Sequence, residues 1–337
     1  MGSSEIVAEV WRGAFLECVH RGHIAVCNTQ GDLLASWGDP AAVILPRSSC
    51  KMLQALPLVE SGAAKRFGLR SEHLALSCAS HNGAFIHTDR VSKWLDGLEL
   101  GETDLRCGGH MPEDAEAMKG LLCGDHCFDQ THNNCSGKHS GFLTLNKHLG
   151  GGAEYLEIDH PVQIAVKAAI EDMSGEDTYG HVIDGCSAPN FAMTLTGFAR
   201  SLARMADPSG LGAVRQEAAR SLIGAMAKHP ELVAGETRTC TELMRAMDGK
   251  AVIKTGAEGV FAAILPERGI GVALKIEDGA TRASECAMAA MLVRLGVADA
   301  NHPVVQNHLF HDQRNCNDFS VGTIRPSELI YQDGAGL

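Results

Sequence analysis

The stretch Pro46-Arg47-Ser48-Ser49-Cys50-Lys51 follows an apolar run from Ala41 to Leu45 and opens a segment that reads as a helix through Leu56, broken near Pro57. Pro46 suits a first helical turn, where its missing N–H costs nothing. Within a helix Ser48 and Lys51, three residues apart, are neighbours on one face. A serine hydroxyl attacks only when a base takes its proton. A lysine serves as that base when burial or a nearby cation keeps it neutral. Ser49 has Met52 at the matching position, so the spacing selects Ser48.

One Ser-x-x-Lys decides little, since about one is expected by chance in a chain of this length. Its plain reading is a helical serine beside a solvated lysine. Two later stretches change that. Leu76-Ser77-Cys78-Ala79-Ser80-His81-Asn82-Gly83 ends an apolar run with Ser-x-Asn. Val252-Ile253-Lys254-Thr255-Gly256 places Lys-Thr-Gly in a strand-like run. The three in that order are the set of serine β-lactamases and penicillin-binding proteins.

The chain is long enough, at 337 residues, to bury a large core, and 45% hydrophobic with 21% charged residues describes an ordinary globular protein. A net charge of −12 argues against nucleic acid and anionic membranes as partners. No apolar run approaches the roughly 18 residues that span a bilayer. Residues 1–10 carry Glu5 and Glu9 and show no basic start followed by an apolar run. The twelve cysteines are therefore expected as reduced thiols or metal ligands, which points to the cytoplasm.

Residues 5–37 read as β-structure, with Ile6–Trp11, Phe15–His20, Ile24–Asn28 and Leu33–Trp37 separated by Gly13, Gly22 and Gly31. Leu74–Ala79 reads as a short buried strand or turn, and Val91–Leu98 as a helix. Glu102–Asp129 has no clear period and reads as loop and short helix. The middle is helical. Asp159 is the expected cap of a helix with Pro161 in its first turn, running to Met173 before Gly175. Phe191, Leu195, Phe198, Leu202 and Met205 recur at helical spacing as core positions. A further helix covers Ala213–Lys228. Ala251–Thr255, Val260–Leu265 and Ile270–Ile276 read as strands, followed by a helix over Arg282–Leu295. The order predicts an α+β fold, an antiparallel sheet built from both ends of the chain and flanked by helices, with a helical middle. That is the layout of β-lactamase and glutaminase folds. The sheet-containing part is expected at about 1–60 and 250–337, the helical part at about 61–249, as one family unit.

Cys123, His126, Cys127, His132, Cys135 and His139 crowd the region up to and through Asn133-Asn134-Cys135-Ser136-Gly137-Lys138-His139, and Asp184-Gly185-Cys186 follows some fifty residues on. Thiolate and imidazole bind zinc. Residue types alone fit a metal site or free thiols with surface histidines, and no C-x-x-C pair marks a finger-type site.

Together Arg47-Ser48-Ser49-Cys50-Lys51, Ser80-His81-Asn82-Gly83, Asn133 to His139, Asp184-Gly185-Cys186, Thr237-Arg238-Thr239-Cys240-Thr241 and Lys254-Thr255-Gly256-Ala257-Glu258-Gly259 resemble the Rhizobium-type, or class 3, L-asparaginases. The resemblance runs from the first strands to Val321-Gly322-Thr323-Ile324-Arg325-Pro326, and Asn133 to His139 is its most specific piece. It implies hydrolysis of L-asparagine to L-aspartate and ammonia by a homodimer. It implies Ser48 as nucleophile with Lys51 as base, Ser80 and Lys254 as a second serine–lysine tandem, and zinc held by Cys135, Lys138 and Cys186. Asp184 would contact the metal's water or the substrate, and Arg47, Asn82, His139 and Cys240 fall on substrate-side positions. The segment Glu102–Cys127 carries least of the resemblance, so Cys123 and Cys127 receive no role from it.

Hydrolysing an amide requires an activated nucleophile, a held oxyanion and a protonated leaving ammonia. Two lysines in one site repel each other's charge, so one is expected neutral at pH 7. Zinc is expected to position substrate, because the serine–lysine set already supplies the chemistry. Two rivals stand beside this reading. One is a cytoplasmic serine hydrolase acting on glutamine, a β-lactam or a D-peptide. The other is a zinc-binding regulatory protein without catalysis.

Overall fold

The computed structural model describes residues 2–124 and 127–331; His126 lies outside them. The strands are β1 Glu5–Arg12, β2 Phe15–Asn28, β3 Leu33–Trp37, β4 Val43–Ile44, β5 His181–Ile183, β6 Pro189–Phe191, β7 Met193–Thr194, β8 Val252–Thr255, β9 Val260–Leu265, β10 Ile270–Ile276, β11 His311–Arg314 and β12 Ser320–Pro326. The chain forms two compact units, residues 1–49, 193–207 and 242–337, and residues 50–192 and 208–241.

The first unit holds an antiparallel sheet in the order β11-β12-β1-β2-β10-β9-β8, with β3 also on β2. Its strands come from both ends of the chain, and the fold class is α+β as expected. β9 and β10 are apolar runs buried at nearly every position, so both of their faces are covered. The helices Leu195–Ala206 and Thr281–Arg294 both pack on them. The first buries Leu195, Phe198, Leu202 and Met205, the stripe read from the sequence. It approaches so closely that a Cβ on Gly271 would lie 2.2 Å from the Ala199 carbonyl. Phe191 belongs to β6 instead, because Thr194 caps the helix by accepting from Gly197 N–H at 2.9 Å.

Gly22 does not interrupt the second strand. β2 runs unbroken past it, and a Cβ there would meet the Lys275 carbonyl at 2.5 Å, so this glycine permits close strand approach. β11 and β12 carry no alternating apolar signal, being mostly exposed or half-buried at the sheet edge.

The second unit is helical around Ser136–Leu149, whose first eleven residues are all buried. The helices Leu56–Glu60, Ser71–Ser77, Phe85–Gly97 and Pro161–Ser174 pack on it. A Cβ on Gly137 would lie 2.4 Å from the Leu76 carbonyl, so only glycine lets the Ser71–Ser77 helix come this near. That helix replaces the strand or turn expected at Leu74–Ala79. Its buried residues Leu74 to Ser77 are consecutive, which leaves no period to separate buried helix from buried strand. His160, not Asp159, caps Pro161–Ser174, accepting from Val162 N–H at 3.2 Å, and Gly175 ends it in the left-handed region at φ 69°. The single helix expected from Pro46 to Leu56 is a 3-10 turn, Arg47–Cys50, followed by the short helices Lys51–Gln54 and Leu56–Glu60.

Candidate active site

In the sheet unit the Ser48 turn starts from strain. Arg47 has φ 51°, a region non-glycine residues rarely occupy. Ser187, Thr237 and Glu258 share this feature, and all three lie within or beside the stretches singled out above. Ser48 is half-buried. Ser49 is fully buried and donates its hydroxyl to the Pro46 carbonyl at 2.5 Å, so its oxygen is committed to holding the turn. The end of β8 packs on this turn. A Cβ on Gly256 would lie 2.9 Å from Pro46 O and 3.1 Å from Ser49 N, which is why Lys-Thr is followed by glycine. Lys254 is fully buried and its Nζ donates to Thr255 O at 2.7 Å. A cavity of about 450 Å³ lies against the same turn, lined among others by Ile44, Leu45, Arg47, Glu258 and Lys275.

The helical unit gathers the other residues. Lys51 is 1% exposed, at the start of its helix. Its Nζ donates to Ser80 Oγ at 2.9 Å, to Cys135 Sγ at 3.0 Å and to the Ala79 carbonyl. Ser80 N–H donates to Val233 O at 2.9 Å and His81 N–H to Asn134 O at 3.1 Å, which fixes this loop against the start of the Ser136–Leu149 helix. His81 is buried beside Ser136 Oγ at 2.9 Å and stacked on His87, and burial holds its pKa well below the usual histidine value.

Lys138 projects from the first turn of Ser136–Leu149, and its Nζ lies 3.0 Å from Cys186 Sγ. A hydrogen bond from the Cys135 thiol, followed by the Lys138 and Lys51 charges, holds the Cys186 pKa well below the thiol range against the cost of burial. The same hydrogen bond and burial push Cys135 up to about 12. Burial opposes the Lys138 ammonium, but Cys186 and Cys135 outweigh it and keep its pKa raised. In the metal-free cluster Cys186 is thus the sulfur that gives up its proton more readily, while Cys135 and Lys138 hold theirs.

Cys186 sits on the β5–β6 connection. There Asp184 N–H donates to Ala188 O and Ser187 N–H to Asp184 O, at 2.9 and 2.8 Å. The Asp184 carboxylate accepts from Gly185 N–H at 2.8 Å and from Asn190 Nδ2 at 3.2 Å. His139 is buried with Nδ1 on Tyr155 Oη at 2.9 Å. Asn82 faces Asp114, and Cys240 is buried in the first turn of the helix Thr239–Met247.

The structure thus brings Lys51, Ser80, Cys135, Lys138 and Cys186 together within one unit. All twelve cysteines are free thiols, and Cys123 and Cys127 are exposed. Among the described residues no three His, Cys, Asp or Glu side chains converge as metal ligands. The set that does converge is two thiols with a lysine amine, and lysine is outside the usual zinc ligand types. Cys107, buried with a pKa pushed up to about 12 by burial and then by Cys135 and Cys186, and Tyr155 were not expected. Neither belongs to a motif, and only the folded chain brings them near the cluster.

No helix among the described residues is long and apolar enough to cross a membrane. No curated protein sequence matches the chain. Similar solved structures include a β-lactamase from Mycobacterium bovis, at 14% identity and TM-score 0.43, covering 78% of this chain and 89% of that one. Another is Mglu in its native form, at 14% identity and TM-score 0.43, covering 84% and 66%. The family model described as L-asparaginase II matches residues 8–326. From its first strand to its last, then, the chain belongs to the L-asparaginase II family, hydrolases that act on amides.

Proposed function

We propose that the chain hydrolyses L-asparagine to L-aspartate and ammonia through an acyl-enzyme on Ser48, as the Rhizobium-type branch of the family would. The observation that carries this is the buried Lys51, in hydrogen-bond contact with Ser80 and three residues from a half-buried Ser48 in a strained turn. Lys51 takes the Ser48 proton as Ser48 Oγ bonds to the side-chain amide carbon. The tetrahedral intermediate collapses, the C–N bond breaks, and the leaving nitrogen takes a proton and departs as ammonia. Ser80, with Lys254 as its partner in a second tandem, delivers that proton. Water then cleaves the β-aspartyl ester and Ser48 regains its proton. Arg47, Asn82, His139, Asp184 and Cys240 are the substrate-side residues, and the working form is a cytoplasmic homodimer.

Cys135, Lys138 and Cys186 fit a zinc ion by their chemistry. The Cys186 thiol, its pKa lowered, is touched by an amine and a second thiol. Bound there, zinc would supply positive charge that positions the substrate. The residues themselves exclude water, since Cys135 and Lys138 are each 3% exposed and Cys186 is 4% exposed.

The test is ammonia release from L-asparagine and L-glutamine, and ring opening of a chromogenic β-lactam followed by its colour change, with and without a chelator. The reading expects asparagine to be strongly preferred, because one extra methylene misplaces the amide from Ser48. Turnover of the β-lactam alone, or equal turnover of both amides, contradicts it.

A further inference from the structure

Four of the five residues His110–Asp114, in the segment to which the motifs gave no role, touch three of the motif stretches. His110 Nε2 accepts from Asn134 N–H at 3.0 Å, while its Nδ1 lies 2.8 Å from Met111 O. Pro112 is buried against Gly83, which has φ 77° and where a Cβ would come within 2.7 Å of the proline ring. Glu113 pairs with Arg238 at 2.5 Å. Asp114 N–H donates to Asn82 O at 2.9 Å, and Asn82 Nδ2 reaches Asp114 Oδ2 at 3.4 Å.

The other Asp114 oxygen caps the helix Ala115–Cys123 by accepting from Ala117 N–H at 2.9 Å. That helix buries none of its residues. The strap therefore anchors the segment on its helix side, as the hydrogen bonds from Asn133 to the Cys107 and Gly108 carbonyls anchor it on the other, and the strap's ion pair is exposed and of the weak kind.

The strap does not touch Ser80, Lys51 or Cys135 in these contacts. It touches Asn82, two residues from Ser80, and Asn134, beside Cys135. An element placed so governs the outline of a site more than its chemistry. We propose that His110–Asp114 is a specificity-determining strap, holding Asn82 and Asn134 as the wall that limits the amide substrate to the length of asparagine. The inference rests on the amide-hydrolase reading above.

The experiment compares kcat/KM for L-asparagine and L-glutamine in wild type, Glu113→Ala, Asp114→Ser and the charge-swapped pair Glu113→Arg/Arg238→Glu. Serine keeps the helix cap but cannot reach Asn82. One methylene is discriminated by about 10–200-fold in a shaped pocket, so Asp114→Ser should raise the glutamine-to-asparagine ratio about tenfold and Glu113→Ala, which loses a weak pair, about threefold, with asparagine kcat changed less than about threefold. The swapped pair should restore the wild-type ratio. Hydrogen exchange over 110–123 should quicken in Glu113→Ala and stay unchanged over 136–149. A ratio unmoved in both single variants, or equal loss of both substrates, overturns this inference alone. A wild type that releases no ammonia from asparagine overturns the reading beneath it as well.

Discussion

Ser48 and Ser49 sit side by side and have different fates. Ser49 Oγ is engaged by the Pro46 carbonyl inside the core, whereas Ser48 is half-buried. Ser48→Ala and Lys51→Ala should each lower asparagine turnover by about 10³-fold or more, with the double variant scarcely worse, because the pair acts as a unit. Ser49→Ala should keep substantial activity, and steady-state kinetics on the four variants checks both statements. The cysteine cluster makes a second prediction. Zinc binds the two sulfurs as thiolates and the lysine only as its neutral amine, and with the Cys186 pKa lowered and those of Lys138 and Cys135 raised, the protons it displaces come mainly from Lys138 and Cys135. Calorimetry in buffers of different ionisation heat should then find about two protons released per zinc, and affinity falling with pH. Cys135→Ala and Cys186→Ala should lose zinc by elemental analysis, and Cys123→Ala/Cys127→Ala should keep it. A third concerns His81 and His87, whose pKa values burial lowers in the folded chain. Above the unfolded value near 6.5 neither state carries the proton. Below it the unfolded chain binds protons the folded chain refuses, so stability falls as pH drops, by at most about 1.4 kcal/mol per pH unit for each histidine and only until its folded pKa is reached, with His81 the larger contributor. Urea midpoints measured from pH 7.5 to 5 report this.

The elements differ in how far the sequence betrays them. Ala213–Lys228 is found with the bounds its pattern predicts, and β9 and β10 match their apolar runs residue for residue. The Ser136–Leu149 helix gave no periodic signal, because it is buried on all sides and much of it is polar. Its hydroxyls are satisfied locally instead, Ser140 on Ser136 O at 2.9 Å and Thr144 on Ser140 O at 2.8 Å. An amphipathic stripe requires a solvent face, and this helix has none for its first eleven residues. The family resemblance, not periodicity, is what singles out Lys138 in its first turn and Cys135 at its cap. Two glycines test the packing of these elements. Gly137→Ala forces a Cβ against the Leu76 carbonyl and should cost about 1–3 kcal/mol in denaturant unfolding. Gly256→Ala presses on Pro46 O and Ser49 N, so it should damage turnover more than stability, since the turn it displaces carries Ser48. Equal effects of Gly256→Ala on both would remove the link between β8 and the Ser48 turn.

At the scale of the whole molecule, chain order was the informative quantity. Strands at both ends and helices between them predicted the α+β class, and the sheet order β11-β12-β1-β2-β10-β9-β8 joins those ends. The sequence did not show that residues 193–207 leave the helical middle to pack on the sheet. Their apolar stripe says only that some partner exists, and the partner is the sheet face made by β2, β9 and β10. Nor did it show Lys51 resting on Ser80, since residues twenty-nine apart meet only after folding. The central claim, amide hydrolysis through Ser48, is tested most directly by trapping its intermediate. Wild-type protein turning over L-asparagine is quenched in acid within one turnover, digested, and the peptide bearing Pro46 to Lys51 is sequenced by mass spectrometry. The account predicts an aspartyl group on Ser48, absent from Ser48→Ala along with ammonia release. Steady ammonia release from a Ser48→Ala variant, or the aspartyl group on a different residue, would contradict it.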